Sequence, residues 1–301
     1  MNGTGHTILF QVALDRMTPT ARTAVTKLLT ENTKNPEENG FELPAADGFL
    51  PTQSEYPDQW KSYARENKLP NTESQLHFDN VPIGPLASSQ PSPNRPGGAS
   101  QIEQQKTIAE NTSADPALRA NATRWIVHEY GDIGAQPLHV INYFSQQFPH
   151  GDGGGNAFNL NWGGSGKWDT ELHSLMDQGG VQPDAGGNSV GNYKDIDGAF
   201  TSDDQTFVQQ KAKDIEARFP ISLSDPSVLD QNPKDWEATL AKQANDQVYP
   251  LFTPGETVTA NDPRMGKIEN LMDGNVALAG ARLAAWADAT FDPNTAGQIA
   301  S

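Results

Sequence analysis

Five of the six histidines in this 301-residue chain stand where imidazole and carboxylate can meet. His128 precedes Asp132 by four residues, and His173 precedes Asp177 by four. On a helix that spacing puts both side chains of a pair on one face, close enough to share a metal ion. One such pair alone reads more readily as a surface ion pair or a satisfied core histidine. Two pairs, with His6 and His77 to add to them, favour metal binding. His139 extends the first pair: His128, Asp132 and His139 lie at intervals of four and seven and would share a face of a straight helix. Asp132 and His139 would then be about 10 Å apart along the axis. A single ion bound at about 2 Å cannot span that gap, so the pattern implies two neighbouring metal sites. Pro137 is expected to kink or end the helix there.

These residues need elements to hold them, and the chain reads as mostly helical. Ile8, Leu9, Val12 and Ala13 form an apolar stripe that starts just after His6. Thr18-Pro19 has the chemistry of a helix start, with Ala21, Val25, Leu28 and Leu29 behind it. Residues 54–67 suit a short helix. A connection rich in Pro, Ser and Gly follows over 81–99, then a helix from Gln101. Asp115-Pro116 opens a buried central helix that runs to near Val140. Residues 149–166 read as a glycine-rich loop and 170–178 as a short helix. Later helices are expected over 202–219, 233–248 and 262–290, the last apolar on several faces. No repeat and no convincing boundary appears, so residues 1–301 are expected to form a single all-α, mainly helical domain with long loops.

Composition narrows the chemistry. There are no cysteines, which excludes thiolate ligands and disulfides. The net charge is −17, which on its own argues against binding a polyanion. Buried divalent cations would reverse the sign locally. No stretch is long and apolar enough to span a bilayer, so no stable membrane association is expected, and a monomer is. No signal peptide is visible at the amino end, which leaves the compartment undetermined.

The landmarks, taken in order, resemble the zinc-dependent nuclease and phospholipase C superfamily. Within it they are most similar to the single-strand-specific nucleases that also act as 3′-nucleotidases. Gly5-His6 comes first, then Tyr56-Pro57-Asp58 in place of a W-[AP]-D element, then Leu76-His77-Phe78. H-x-x-G-D and Q-P-L-H follow as His128 to Asp132 and Gln136 to His139. A G-G-N loop stands at Gly154-Gly155-Asn156, a histidine–aspartate element at Leu172 to Asp177, and a G-x-R-L-A helix at Gly280 to Ala284. Some positions depart from the family pattern. Met1 replaces a tryptophan, Glu171 an asparagine and Met176 a tryptophan, and one extra residue lies between Asp132 and His139. The family is mostly secreted or periplasmic; the missing fungal disulfides suggest a bacterial-type or intracellular member.

The resemblance implies three Zn2+ ions. Asp58, His77, His128 and Asp132 would hold the first, and His139, His173 and Asp177 the second. The third would take His6, the amine and carbonyl of Met1, and Asp132 as a bridge. The count agrees, since five histidines and three aspartates are few for three ions unless one bridges and the terminus helps. The implied activity is hydrolysis of single-stranded DNA and RNA by metal-activated water, with a 3′-nucleotidase activity beside it. Asp58 would orient the water and Lys61 would contact phosphate. Phe78 would stack on a base, and Asn156 would lie in the substrate-binding loop. Two rival readings follow: a phospholipase C acting on lipid headgroups, and a zinc-binding protein without catalysis. Asp177 at the last ligand position, where the phospholipases have Glu, and a second site with only three protein ligands favour the nuclease.

Overall fold

The computed structural model describes residues 1–34, 41, 48–70, 74–90, 96–163, 171–183, 189–196 and 199–295. Among them the chain is mainly helical, as expected, with helices α1 Gly3–Arg16, α2 Pro19–Glu31, α3 Tyr56–Glu66, α4 Gly98–Glu110, α5 Pro116–Asp132, α6 Leu172–Asp177, α7 Ser202–Arg218, α8 Pro226–Leu229, α9 Pro233–Gln243 and α10 Pro263–Phe291. Five of these start with the same two-residue device. Thr18, Asp115, Asp225, Asn232 and Asp262 each accept a backbone N–H from the first turn, and a proline follows each of them. The cap satisfies an orphan donor, and the proline supplies a pre-set φ where no N–H is needed. Thr201 starts α7 differently, through a reciprocal capping box with Asp204.

The interior is built around α1, α5 and α10. Every residue of α1 from Thr4 to Leu14 is buried, and so is every residue of α5 from Ala120 to Asp132. Helix α10 lies so close to α1 that a Cβ on Gly280 would stand 2.6 Å from Val12 Cγ1. The fully buried Arg124 ties α5 to its neighbours. Its Nε donates to Gln53 Oε1 (2.7 Å), and its Nη2 donates to the carbonyls of Leu29 (3.0 Å) and Asn32 (2.6 Å). The tight turn Leu50–Glu55, which leads directly into α3, is thereby fixed against α5. No helix among the described residues is long and apolar enough to cross a membrane.

Among the described residues there are also three pairs of very short strands: β1 Val81–Ile83 with β2 Ile141–Tyr143, β3 Asn161–Trp162 with β6 Thr257–Val258, and β4 Val181–Pro183 with β5 Ser189–Gly191. The first pair is parallel, with Val81 opposite Ile141, and it matters for the site. It continues upstream through Asp79 N–H to His139 O (3.0 Å), which holds the 77–79 segment beside residue 139.

Several boundaries differ from expectation. The first helix begins at Gly3 and contains His6, because Asn2 caps it by accepting from Gly5 N–H. The helix expected from Gln101 begins at Gly98. Residues 81–83, expected as loop, pair with β2; 91–95 of that expected loop lie outside the described residues, as do 164–166 of the glycine-rich loop and Thr170. Helix α9 ends at Gln243 and passes into a π-helical turn over Ala244–Val248. The largest correction is at α5, which stops at Asp132 rather than near Val140. The N–H groups of Ala135 and Gln136 both turn back to Gly131 O, and Leu138 N–H donates to Gln136 Oε1. The end of the helix is set five residues before Pro137.

Candidate metal centre

Six elements and turns deliver the histidines and aspartates singled out in the sequence to one place. Helix α1 brings Met1 and His6. Besides capping the helix, the Asn2 side chain donates to Tyr193 O (2.7 Å) and Gln178 Oε1 (3.0 Å), which pins the first residue next to α6. Asp58 comes from the first turn of α3, and His77 from the end of the Ser74–His77 turn. The last turn of α5 supplies His128 and Asp132 on one face. The turn after α5 returns His139, and α6 supplies His173 and Asp177. The chain therefore does not keep Asp132 and His139 apart as a straight helix would: His139 Nδ1 lies 2.9 Å from Asp132 Oδ1.

Asp132 sits at the centre and divides its two oxygens. Oδ2 faces His77 Nδ1 (3.0 Å) and His128 Nε2 (3.1 Å). Oδ1 faces the Met1 amine (3.0 Å), His6 Nε2 (3.2 Å) and His139 Nδ1 (2.9 Å). Asp58 approaches the first set more loosely, at 4.0 Å from His77 Nδ1 and 3.9 Å from His128 Nε2. On the other side, Asp177 lies 3.4 Å from both His139 Nε2 and His173 Nε2, and the two rings stack with centroids 5.0 Å apart. Asp177 also lies 3.1 Å from the Met1 amine.

These separations suit cations. Two atoms each about 2.1 Å from a tetrahedral ion lie about 3.4 Å from one another. Ligand atoms of His139, His173 and Asp177 gather within 4.8 Å of one another; so do those of His77, His128, Glu129 and Asp132, and those of His6, Asp58 and His128. Both ring nitrogens of His6, with His77 Nε2 and His139 Nδ1, are buried and make no hydrogen bond. Such groups are costly unless something else takes their lone pairs. Two of the other ring nitrogens are anchored by backbone carbonyls: His128 Nδ1 donates to Ser54 O (2.8 Å) and His173 Nδ1 to Gly154 O (2.7 Å). That fixes the remaining nitrogen of each as the one free to bind, the usual arrangement around a metal-ligating histidine.

The electrostatics match. Burial alone would raise the pKa of Asp132, but His139, the Met1 amine, His128 and His6 outweigh it and hold the carboxyl well below the usual range. Asp177 is held down in the same way, chiefly by the amine and His173. At Asp58, burial is overcome by His128, Lys61 and His77. Burial and the neighbouring His128 push His6 down to about 3, and burial also lowers His77 and His173. His139 goes the other way, because Asp132 more than offsets its burial. The neutral imidazoles of His6, His77 and His173 beside ionised carboxylates form a donor set suited to divalent zinc.

The remaining sequence candidates lie at the edges. Lys61, on α3, pairs with Asp58, and Asp58 raises its pKa against the effect of burial. Phe78 is half-buried, with its ring centroid 6.0 Å from that of His139 and 6.2 Å from that of His77, so it walls the site beside two candidate ligands. Asn156 is exposed and donates to Gly153 O (2.6 Å); no contact brings its amide among the metal-binding side chains. Four residues around the site escaped the sequence reading. Gln136 Nε2 donates to Asp177 Oδ1 (2.8 Å), and a position inside Q-P-L-H was the signal for it. The Ser54 and Gly154 carbonyls act through the backbone, which leaves no side-chain signal. Glu129, between His128 and Asp132, is fully buried next to both.

With this geometry established, the chain was compared with known proteins. A family model described as S1/P1 Nuclease matches residues 2–292. No curated protein matches the chain.

Proposed function

Since the chain belongs to the S1/P1 nuclease family and is on that ground a hydrolytic nuclease, we propose that it cleaves phosphodiester bonds in single-stranded DNA and RNA with a cluster of three zinc ions. The observation that carries this reading is the division of Asp132, with one oxygen toward His77 and His128 and the other toward the Met1 amine and His6. A carboxylate placed in that way serves two cations at once. The first ion would be held by Asp58, His77, His128 and Asp132, the second by His139, His173 and Asp177, and the third by His6, Asp132 and the amine and carbonyl of Met1. When bound, the ions supply Lewis acidity and a nucleophile at neutral pH.

The protein's own groups then have distinct tasks. Asp58, ionised and half-buried, would accept a hydrogen bond from the attacking water and aim it. Lys61, beside Asp58, offers its ammonium to a phosphate oxygen. The Phe78 ring next to His77 and His139 gives an unpaired base a face to stack on, which a base inside a duplex cannot use. Asn156 stands on the loop next to His173, where an incoming nucleotide would meet it. Three buried cations would also resolve the conflict between a net charge of −17 and a polyanionic substrate. A 3′-nucleotidase activity needs only that the same centre accept a terminal phosphate.

The test is hydrolysis of single-stranded DNA, single-stranded RNA, duplex DNA, a 3′-nucleotide and phosphatidylcholine side by side. Each is run with and without chelator, and the metal content of the same preparation is measured. Cleavage of single strands well above duplex, lost with chelator and restored by zinc, is the expected result. Cleavage of phosphatidylcholine alone would transfer the activity to lipid headgroups. Bound zinc with no hydrolysis of any substrate would leave a structural centre.

A further inference from the structure

Glu129 is fully buried, and no donor among the described residues reaches either carboxylate oxygen. That makes it unlike the other acids of the centre, each of which has a nitrogen partner. It sits on α5 one residue after His128 and three before Asp132, on a flank of the face that carries them. A ligand oxygen of Glu129 lies within 4.8 Å of ligand atoms of His77, His128 and Asp132. A buried carboxylate without donors is strongly unfavourable, and the candidate ligand atoms of His77, His128 and Asp132 lie beside it. The H-x-x-G-D pattern leaves this position open, so the resemblance gives the residue no role.

We propose that Glu129 is a further carboxylate of the first metal site, alongside Asp58, His77, His128 and Asp132. The inference rests on the proposed metal centre. It gives the first site three carboxylates to two imidazoles. Oxygen-rich sets of that kind suit harder ions and higher coordination numbers than a closed tetrahedral zinc site does. The first ion would then have five candidate side-chain ligands, and the second three: His139, His173 and Asp177.

Three readouts on the full chain test this: zinc affinity by chelator competition, the visible spectrum of the cobalt(II)-loaded protein, and melting temperature with and without metal. They are made on the native protein, E129Q and E129L, with H128A as the control for the site itself. Removing the carboxylate is expected to weaken the tightest-perturbed zinc by at least about tenfold. It should also intensify the cobalt d–d bands, as they do when coordination falls from five to four. Stripped of metal, E129L should melt higher than the native chain, because a buried polar group without a partner is gone; with metal bound, that advantage should shrink or reverse. Unchanged zinc affinity and cobalt spectra in folded E129Q and E129L would overturn the role of Glu129. So would a drop in melting temperature of equal size with and without metal, which is the mark of a packing role only. If H128A keeps the full metal content of the native chain, the first site itself is absent, and the proposed function falls together with this inference.

Discussion

Gly131 backs directly onto the His6 ring: a Cβ at this position would stand 2.4 Å from Nδ1, 2.7 Å from Cε1 and 2.9 Å from the Met1 Cε. Helices α5 and α1 touch here without a side chain between them, and the histidine fills the gap. Gly131→Ala is therefore expected to push His6 and Met1 away from Asp132. Overpacking of this kind costs about 1–3 kcal/mol. Urea denaturation should show the loss, and metal analysis should show one ion fewer per chain. Full metal content in a stably folded Gly131→Ala protein would mean that His6 and Met1 hold no ion.

Asp132 and Asp177 should not be equivalent. Asp132 contacts nitrogens of Met1, His6, His77, His128 and His139, whereas Asp177 contacts those of Met1, His139 and His173. Asp132→Asn is expected to release more metal and lower nuclease activity further than Asp177→Asn. Loss of a single ion in each variant would remove the bridging assignment.

The Met1 amine is more basic than an ordinary terminal amine, near 8, would be. Burial lowers its pKa, but Asp132 and Asp177 more than compensate and raise it to about 10. A metal that takes this amine must displace a proton, so binding at the third site should strengthen as pH rises toward 10. Calorimetry of zinc binding in buffers of different ionisation enthalpy should reveal the released proton. Extending the chain ahead of Met1 makes the amine an amide, and such a protein should bind one ion fewer and release no such proton. Identical stoichiometry and proton release in the two forms would rule out the amine as a ligand.

Lys106 provides a pH signature away from the metals. Its Nζ donates to Gln231 O and Oε1 (both 3.2 Å) and lies 5.5 Å from the ring centroids of Tyr130 and Trp236. Burial pushes the ammonium down to about 8, only partly countered by Glu110 and Glu103. The unfolded chain keeps this proton to about 10.5. Between those values the unfolded state binds more protons, so this group adds stability as pH rises. Measured by urea midpoints from about pH 7 to about pH 10, the native chain should gain on Lys106→Met as pH increases. A constant difference across that range would show that Lys106 titrates normally.

The sequence was most legible where chemistry and helix starts coincide. Thr18-Pro19 and Asp115-Pro116 announce α2 and α5, and the i, i+4 pairs at His128 and His173 survive intact in the fold. What periodicity cannot show is how a helix ends against its own carbonyls. The return of residues 135 and 136 to Gly131 O brings His139 to Asp132, and no apolar spacing encodes that turn. The β1–β2 bracket was missed for a related reason: three residues a side give no alternation to read, and the pair lies 60 residues apart (Val81 to Ile141). Glu129 was passed over because spacing identified its neighbours first.

The pairing of α1 with α10 has a bearing on how the molecule is made. Helix α1 is buried along nearly its whole length, yet the helix it packs against most closely begins at Pro263. A ribosome adding about 5–20 residues per second needs roughly 12–50 s to travel from the end of α1 to the start of α10. For that interval α1 is without its closest partner, and its apolar side chains wait on the last long helix to be fully covered.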